Sequence, residues 1–570
     1  MYLLYIMGGG LMQLVAYGAQ DIYLTGNPQI TFWKLVYRRN TNFAIESIEQ
    51  TFAGSVDFGN RVTCSISRNG DLINKMYLVA TLPSLTVQEA ASPIATPGDA
   101  AVLEYTIGNL TAGITNVIGT NSADSMHSVS AAWTEHVGHA LIDEVIVEIG
   151  GQLIDKHYGI WLEIWNELSL PAEKEEGMDE LIGPKKRHQL AMSAKNERII
   201  HVPLQFWFNR NPGLALPLIA LQYHEVKIII QLKELNQLCT VVLDGRAVSG
   251  NCRNDWVLNG TAGDISLSKF PSSFMGIDDK NTASGCRIQG TGVSVKTSKS
   301  LKNCQLWVDY VYLDTEERRR FAQQSHEYLI EQLQFNGATS TPSTATTEVS
   351  GTYRINFNHP VKELIWVYQD KNRCCPTVAD ITKNSWFNFG WNDHNLVYPG
   401  YITDEVTADS AGKNNLGGKP FILDCVDSAD MPLGTCGTPK DGRVHDFLSS
   451  SYTNKIQLNG HDRFAPRPNN YFRHVQPFQH HSRVPESQIY NYSFSLRPEE
   501  HQPSGTCNFS RIDNAQLQYS LQPMILPADA EKGLSPNNET YAPTLNLMMF
   551  ATNYNVLRVM SGMGGLAYSN

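Results

Sequence analysis

The chain has 570 residues, more than one hydrophobic core usually organises, so two or more domains are expected. Net charge is −11, and the only dense basic runs are Lys185-Lys186-Arg187 and Arg318-Arg319-Arg320. Extensive direct binding of nucleic acid is therefore excluded, because neutralising phosphates needs clustered cations. The ten cysteines form no CxxC pair, and the adjacent Cys374-Cys375 is badly placed to bridge to itself, so a disulfide scaffold is excluded and a reducing compartment implied.

Residues 1–20 carry no charge. They lack the basic start of a signal peptide, and Gly8-Gly9-Gly10 and Gln13 interrupt any membrane span. Residues 1–21 read as an apolar N-terminal arm that packs on a partner or lies at a membrane face. Met7 is an alternative natural start. Residues 22–236 read as a first β domain. A turn falls at Gly26-Asn27-Pro28, followed by a strand-like run. Three strands follow to Pro83, with turns near Gly59-Asn60 and Asn69-Gly70-Asp71, the Asn-Gly step being a hairpin signal. Residues 84–130, rich in Ser, Ala, Thr and Gly, read as a long exposed loop.

Val145, Val147 and Ile149 alternate as a strand, and a helix follows whose apolar face is Ile154, Tyr158, Trp161, Trp165 and Leu168. Two tryptophans four residues apart are the buried face of a helix rather than a ligand platform. A second strand-then-helix unit is read at Val308–Leu333, with Phe321, Tyr328, Leu329 and Leu333 on its helical face, and suggests a duplicated domain. A second correspondence supports the duplication. Pro217 precedes a strand containing Leu221, Tyr223, Val226, Ile228 and Ile230, and Pro485 precedes one containing Ile489, Tyr490, Tyr492, Phe494 and Leu496. Between these segments Glu173–Arg187 reads as a charged loop. The second domain is placed at 237–570, with loop insertions at about 250–298 and 371–470 and a C-terminal tail; TYRINFNHPVKELIWVYQD within it has clear strand character. The fold class expected is mainly β: two consecutive eight-stranded antiparallel jelly-roll sandwiches with short helices and long loops.

Five long segments, Gly8–Phe43, Leu306–Phe335, Phe357–Asp370, Tyr492–Asp513 and Asn553–Asn570, carry a resemblance that runs nearly end to end. Through them the chain resembles the double jelly-roll major capsid proteins of the nucleocytoplasmic large DNA viruses. The resemblance implies a homotrimer whose six rolls make a pseudo-hexameric capsomer. Such capsomers would tile an icosahedral virion shell assembled in the host cytoplasm over an inner viral membrane close to the N-terminal arm. Neighbouring capsomers, minor capsid proteins and penton proteins would be the partners.

No catalytic, cofactor-binding or metal residue is assigned. There is no GxxxxGK[ST] loop, no GxSxG elbow and no HExxH, so an enzyme is not expected. Ser561-Gly562-Met563-Gly564-Gly565 reads as a tail needing unusual backbone angles. His136 and His139 form an HxxH, and His474, His480 and His481 cluster; metal binding by either is the lesser alternative, and because no Cys or carboxylate stands at ligand spacing they read as ordinary loop and strand-end histidines. Arg467, Arg473, Arg483 and Arg497 lie among aromatics and suit stacking at subunit contacts. Of the sequons, Asn491 and Asn508 read as unused, Asn109 and Asn259 as outward-facing loop positions, and Asn538 has no reading of its own. The alternative function is a carbohydrate-binding β-sandwich protein.

Overall fold

A computed structural model describes residues 39–85, 126–184, 196–245, 300–341, 349–370, 453–521 and 545–568, together with short pieces within 14–32, 87–89, 116–117, 293–295 and 386–389. The chain divides into a small unit, Met1–Ala44, and a large one, Ile45–Asn570. In the small unit a one-turn helix, Ile22–Thr25, ends at Gly26, and Asn27 takes a left-handed φ of 52°, as the expected turn requires. Leu14, Val15, Ile22, Tyr23 and Leu24 are exposed there. The strand-like run expected after Pro28 lies largely outside the described residues.

The large unit contains two sandwiches built to one plan. In the first, β1 (Phe43–Gln50), β8 (Asn303–Leu313), β3 (Leu72–Leu82) and β6 (Arg198–Pro203) form one sheet in that order. β2 (Arg61–Ser65), β7 (Val226–Leu232), β4 (Ile142–Ile149) and β5 (Gln152–Tyr158) form the facing sheet. In the second, the orders are β9 (His326–Phe335), β16 (Leu545–Met560), β11 (Pro360–Asp370), β14 (Ile489–Ser493), and β10 (Val349–Ile355), β15 (Ala515–Leu521), β12 (Thr453–Leu458), β13 (His461–Asp462). Each strand of the second sandwich thus stands where the strand eight earlier stands in the first. Successive strands cross between the two sheets, apart from the β4–β5 and β12–β13 hairpins. This interleaving is the jelly-roll plan, twice over.

Helices that decorate the frame include α1 (Val137–Leu141), α2 (Gly159–Ser169), α3 (Glu175–Ile182) and α4 (Thr315–Gln323). Side-chain patterning explains the strands. β7 alternates buried and half-buried residues throughout, as a strand with one face in a core does. β11 reads instead as a near-continuous apolar run because both its faces are covered. Leu364, Trp366 and Tyr368 enter the second sandwich's own core, while Ile365 and Val367 join the core of the first. β16 divides likewise, with Leu547 and Met549 to one side and Met548 and Phe550 to the other.

Several expectations need correction. The first domain does not close at 236. β8 pairs antiparallel with β3 from Asn303↔Thr81 to Val311↔Leu72, and its Leu306, Val308 and Tyr310 are buried, so the first sheet is complete only with this later strand. The second strand-then-helix unit is therefore no copy of the first. It is the last strand of one sandwich, a linker helix, and the first strand of the next. Tyr328, Leu329 and Leu333 lie in β9, not on a helix, and α4 has no buried residue. Ile154 and Tyr158 likewise belong to strand β5, and α2 begins at Gly159.

The proline-led segments do not correspond either, since β7 matches β15 while β14 matches β6. Asn69-Gly70 makes no hairpin, because β2 and β3 lie in opposite sheets. Gly70 is needed for close approach: a Cβ there would stand 2.9 Å from Tyr310 Cβ. Glu173–Arg187 is mainly helical as far as Ile182, and the expected insertion 371–470 contains β12 and β13. The loop expected at 84–130 includes strand segments Val87–Glu89, Asn116–Val117 and Met126–Trp133; the remainder of it, and most of 250–298 and 371–452, lies outside the described residues.

Candidate functional site: the seam between the two sandwiches

The second sandwich's β9-β16-β11-β14 sheet turns its outer face to the first sandwich, and α2 lies in the junction. Trp161 and Trp165 are 2% and 4% exposed, so the helical face read from sequence is buried as expected. Their rings stand 5.7 Å apart, and Trp161 lies 5.6 Å from Phe550 of β16. Phe550 stacks on Phe335 at 4.6 Å, and Phe335 meets Tyr158 edge-on at 5.0 Å. One aromatic chain thus runs from β5 and α2 into β9 and β16.

Polar groups frame this apolar junction. Arg210 Nη2 lies 3.1 Å from Glu331 Oε2, and its guanidinium covers the Trp165 ring at 4.7 Å. Glu331 Oε1 also meets Lys362 Nζ at 2.8 Å, and Lys362 donates to the Pro498 carbonyl at 2.6 Å. Burial alone would raise the Glu331 pKa, but Arg210 and Lys362 hold it at about 2. Ser487 donates through its backbone N–H and its hydroxyl to Glu167, and Leu333 N–H donates to Asp155 Oδ1 at 3.1 Å. Arg483 reaches Glu175 at 2.8 Å. At the far end Ser561 and Gly562 take positive φ and turn the chain into β17 (Met563–Leu566), which bears out the reading of that tail. Gly564 N–H lies 3.2 Å from His224 Nδ1, and Tyr223 N–H donates to the Gly562 carbonyl at 3.0 Å.

Of the histidines read as ordinary, His136, His139 and His481 prove to be partnered by carboxylates distant in sequence. His481 lies buried, with Nε2 3.0 Å from Glu363 Oε2 and Nδ1 3.0 Å from Glu499 Oε1. Burial disfavours its charge, yet the two carboxylates raise its pKa to about 9. His480 Nδ1 faces the Leu496 carbonyl instead. His136 and His139 converge on Glu163 of α2, a residue the sequence reading passed over because it lies 24 positions beyond His139. Its place at helical spacing between Trp161 and Trp165, yet off their face, was the available signal. Burial opposes the Glu163 charge, but His136, more than His139, holds its pKa well below the carboxylate range.

The arginines have partners within the chain. Arg467 packs on Tyr471 at 4.2 Å, Arg473 donates to the Glu486 carbonyl, and Arg497 pairs with Glu500. Arg318 of the basic run pairs with Asp71 at 2.9 Å. Asn491 is fully buried, and Asn508 is exposed with Oδ1 accepting from Ser510 N–H. Asn109, Asn259 and Asn538, and Lys185-Lys186-Arg187, lie outside the described residues.

Two jelly rolls packed side by side make this a double jelly-roll β protein, and comparison with known proteins agrees. Residues 31–314 match the family described as major capsid protein N-terminus, and 317–565 match large eukaryotic DNA virus major capsid protein. The major capsid protein of Chrysochromulina ericina virus is 39% identical, over 99% of this chain and all of the relative. That of Phaeocystis pouchetii virus is 40% identical with the same coverage. A chain of the PBCV-1 virus capsid superimposes with a TM-score of 0.59 at 33% identity, covering 95% of this chain and all of that one. The chain belongs to the major capsid proteins of large eukaryotic DNA viruses, and its place is the virion shell. Nothing in these comparisons supports the carbohydrate-binding alternative.

Proposed function

We propose that three copies of this chain form a pseudo-hexameric capsomer that tiles an icosahedral shell. The observation that carries the proposal is the repeated strand order: one chain presents two similar sandwiches side by side, so three chains present six. Closed three-fold symmetry then lets a trimer occupy a near-hexagonal lattice position. The role is structural, without catalysis, and the shared seam keeps the two sandwiches at a fixed angle so that lattice contacts stay in register. The exposed apolar residues of the N-terminal arm suit cover by the inner viral membrane or a minor capsid protein, penton proteins fill the vertices, and assembly takes place in the host cytoplasm. The division between the two domains is placed at Asp314, where β8 ends and α4 begins.

Light scattering behind size exclusion tests the reading. A compact, salt-resistant particle near three times 63.6 kDa is expected, with hexagonal outlines by electron microscopy. A chain that stays monomeric at capsid-like concentrations, alone and with viral lysate, would refute it.

A further inference from the structure

We infer that His136, His139 and Glu163 form a closed structural site for a divalent transition metal of the zinc class, clamping α1 to α2 within the first sandwich. The three side chains are no more than 5% exposed. Their candidate ligand atoms all lie within 4.8 Å of one another. His136 Nδ1 faces Glu163 Oε1 at 2.7 Å, and His139 Nδ1 faces Glu163 Oε2 at 2.7 Å. His136 Nε2 is meanwhile 3.0 Å from Asp179 Oδ1.

The conflict is at His136. A neutral imidazole has one N–H, yet a carboxylate oxygen stands against each of its ring nitrogens. One contact would set lone pair against lone pair unless a cation lies there, either a second proton or a metal ion. The surroundings favour the metal. Two imidazoles and a carboxylate are the donor types that zinc takes, and Glu163 turns one oxygen toward each imidazole, so a single carboxylate brings both histidines within reach of one ion. Asp179, from α3, occupies the outer position in which a carboxylate orients a metal-bound histidine and fixes its Nε2–H tautomer. His136 also holds a left-handed backbone, φ 42° and ψ 54°, which a non-glycine residue keeps only where the surroundings impose it. One ion about 2.1 Å from each donor, with near-tetrahedral N–ion–O angles, sets N···O separations of about 3.4 Å, so the 2.7 Å contacts open by about 0.7 Å on binding. Binding releases one proton, from His136 Nδ1, while His139 moves its proton to Nε2. The burial leaves no open position for substrate, which makes the site structural.

Untagged full-length protein, purified without chelator, should carry about one zinc per chain by mass spectrometry. Removing it with phenanthroline should lower the melting temperature, and zinc, but not magnesium, should restore it. Cobalt added to the stripped protein should give visible d–d absorption, lost in Glu163→Gln. Asp179→Asn, which touches no ligand atom directly, should fold normally and weaken zinc binding about 10–100-fold. Metal-free protein whose melting ignores zinc, and which gives no cobalt spectrum, would overturn the proposal and leave His136 a doubly protonated imidazolium. Zinc uptake unchanged in both variants would overturn it equally, by placing the metal elsewhere. Should Glu163→Gln fail to fold, the stripped wild-type chain and Asp179→Asn decide the matter.

Discussion

Trp165→Ala tests the seam at its centre. The indole is 4% exposed, rests 5.7 Å from Trp161 and lies beneath the Arg210 guanidinium. Truncation removes the transfer free energy of a large aromatic and leaves a cavity that the strands and α2 cannot readily fill, a loss of about 3–5 kcal/mol. A desolvated cation–π contact adds up to about 2 kcal/mol to what is at stake, though the two are not additive. Against a typical stability of about 5–15 kcal/mol this is a large fraction. Because residues of both sandwiches share that core, the loss should appear in both. Urea unfolding followed by far-ultraviolet circular dichroism suits the test, since it does not depend on the deleted fluorophore. Wild-type protein should show one main transition. The variant should unfold at clearly lower urea, or in two steps as the sandwiches uncouple, and Trp165→Phe should fall between. A midpoint equal to wild type would refute the claim that this helix face joins the two sandwiches.

Glycine 159 offers a test of sign. Helix propensity alone credits Gly159→Ala with up to about 1 kcal/mol of added stability. A Cβ there would stand 2.2 Å from the backbone carbonyl oxygens of both His139 and Ile142, so overpacking should instead cost about 1–3 kcal/mol, read as a lower melting temperature. Lys362→Met removes a fully buried ammonium and leaves Glu331 with Arg210 and, at 3.7 Å, His501; the cost should approach, without exceeding, the ~3–5 kcal/mol of a broken buried pair, and an unchanged urea midpoint would count against the network. The acid and alkaline limits follow from two shifted groups. Glu331, lowered from 4.5 to about 2, contributes stability that is complete above pH 4.5 and lost as pH falls toward 2. His481, raised from 6.5 to about 9, contributes stability that is complete below pH 6.5 and lost as pH rises through 9. Melting temperature against pH should therefore fall on both flanks, and His481→Gln should flatten the alkaline one.

Local signals in the sequence reached the elements but not their partners. The alternation at Val145, Val147 and Ile149, the tryptophan pair on α2 and the turn at Ser561-Gly562 each depend on neighbours a few residues away, and each is found where expected. The pairing of β8 with β3 depends on a slot opened more than two hundred residues earlier, and no periodicity within Asn303–Leu313 reports it. The duplication was sensed but set at the wrong repeat, because equivalent strands carry different chemistry. β11 has two buried faces, whereas its counterpart β3 alternates buried with exposed or half-buried residues over most of its length. β12, with Asn454 and Ile456 buried between half-buried polar residues, looked like loop. The pairing of carboxylates with His136, His139 and His481 was hidden for the same reason: Glu163, Glu363 and Glu499 come near them only in the folded chain, although Glu163 left a local signal in its place on α2.

The coupling of the two sandwiches lies in side chains rather than in the connecting segment. α4 has no buried residue, and its contact with the first sandwich includes an exposed guanidinium on Asp71, an arrangement that contributes little at a solvated surface. β11 and β16, by contrast, commit alternate residues to two cores, so the outer face of one sandwich is also the inner lining of the junction. Sliding or tilting one sandwich against the other would expose Ile365, Val367, Met548 and Phe550 together and would separate Glu331 from Arg210. A close-packed junction of this kind has few intermediate positions, because small displacements lose many contacts at once. The chain therefore carries its two rolls as one body, and the angle between them is written into the alternation of two strands.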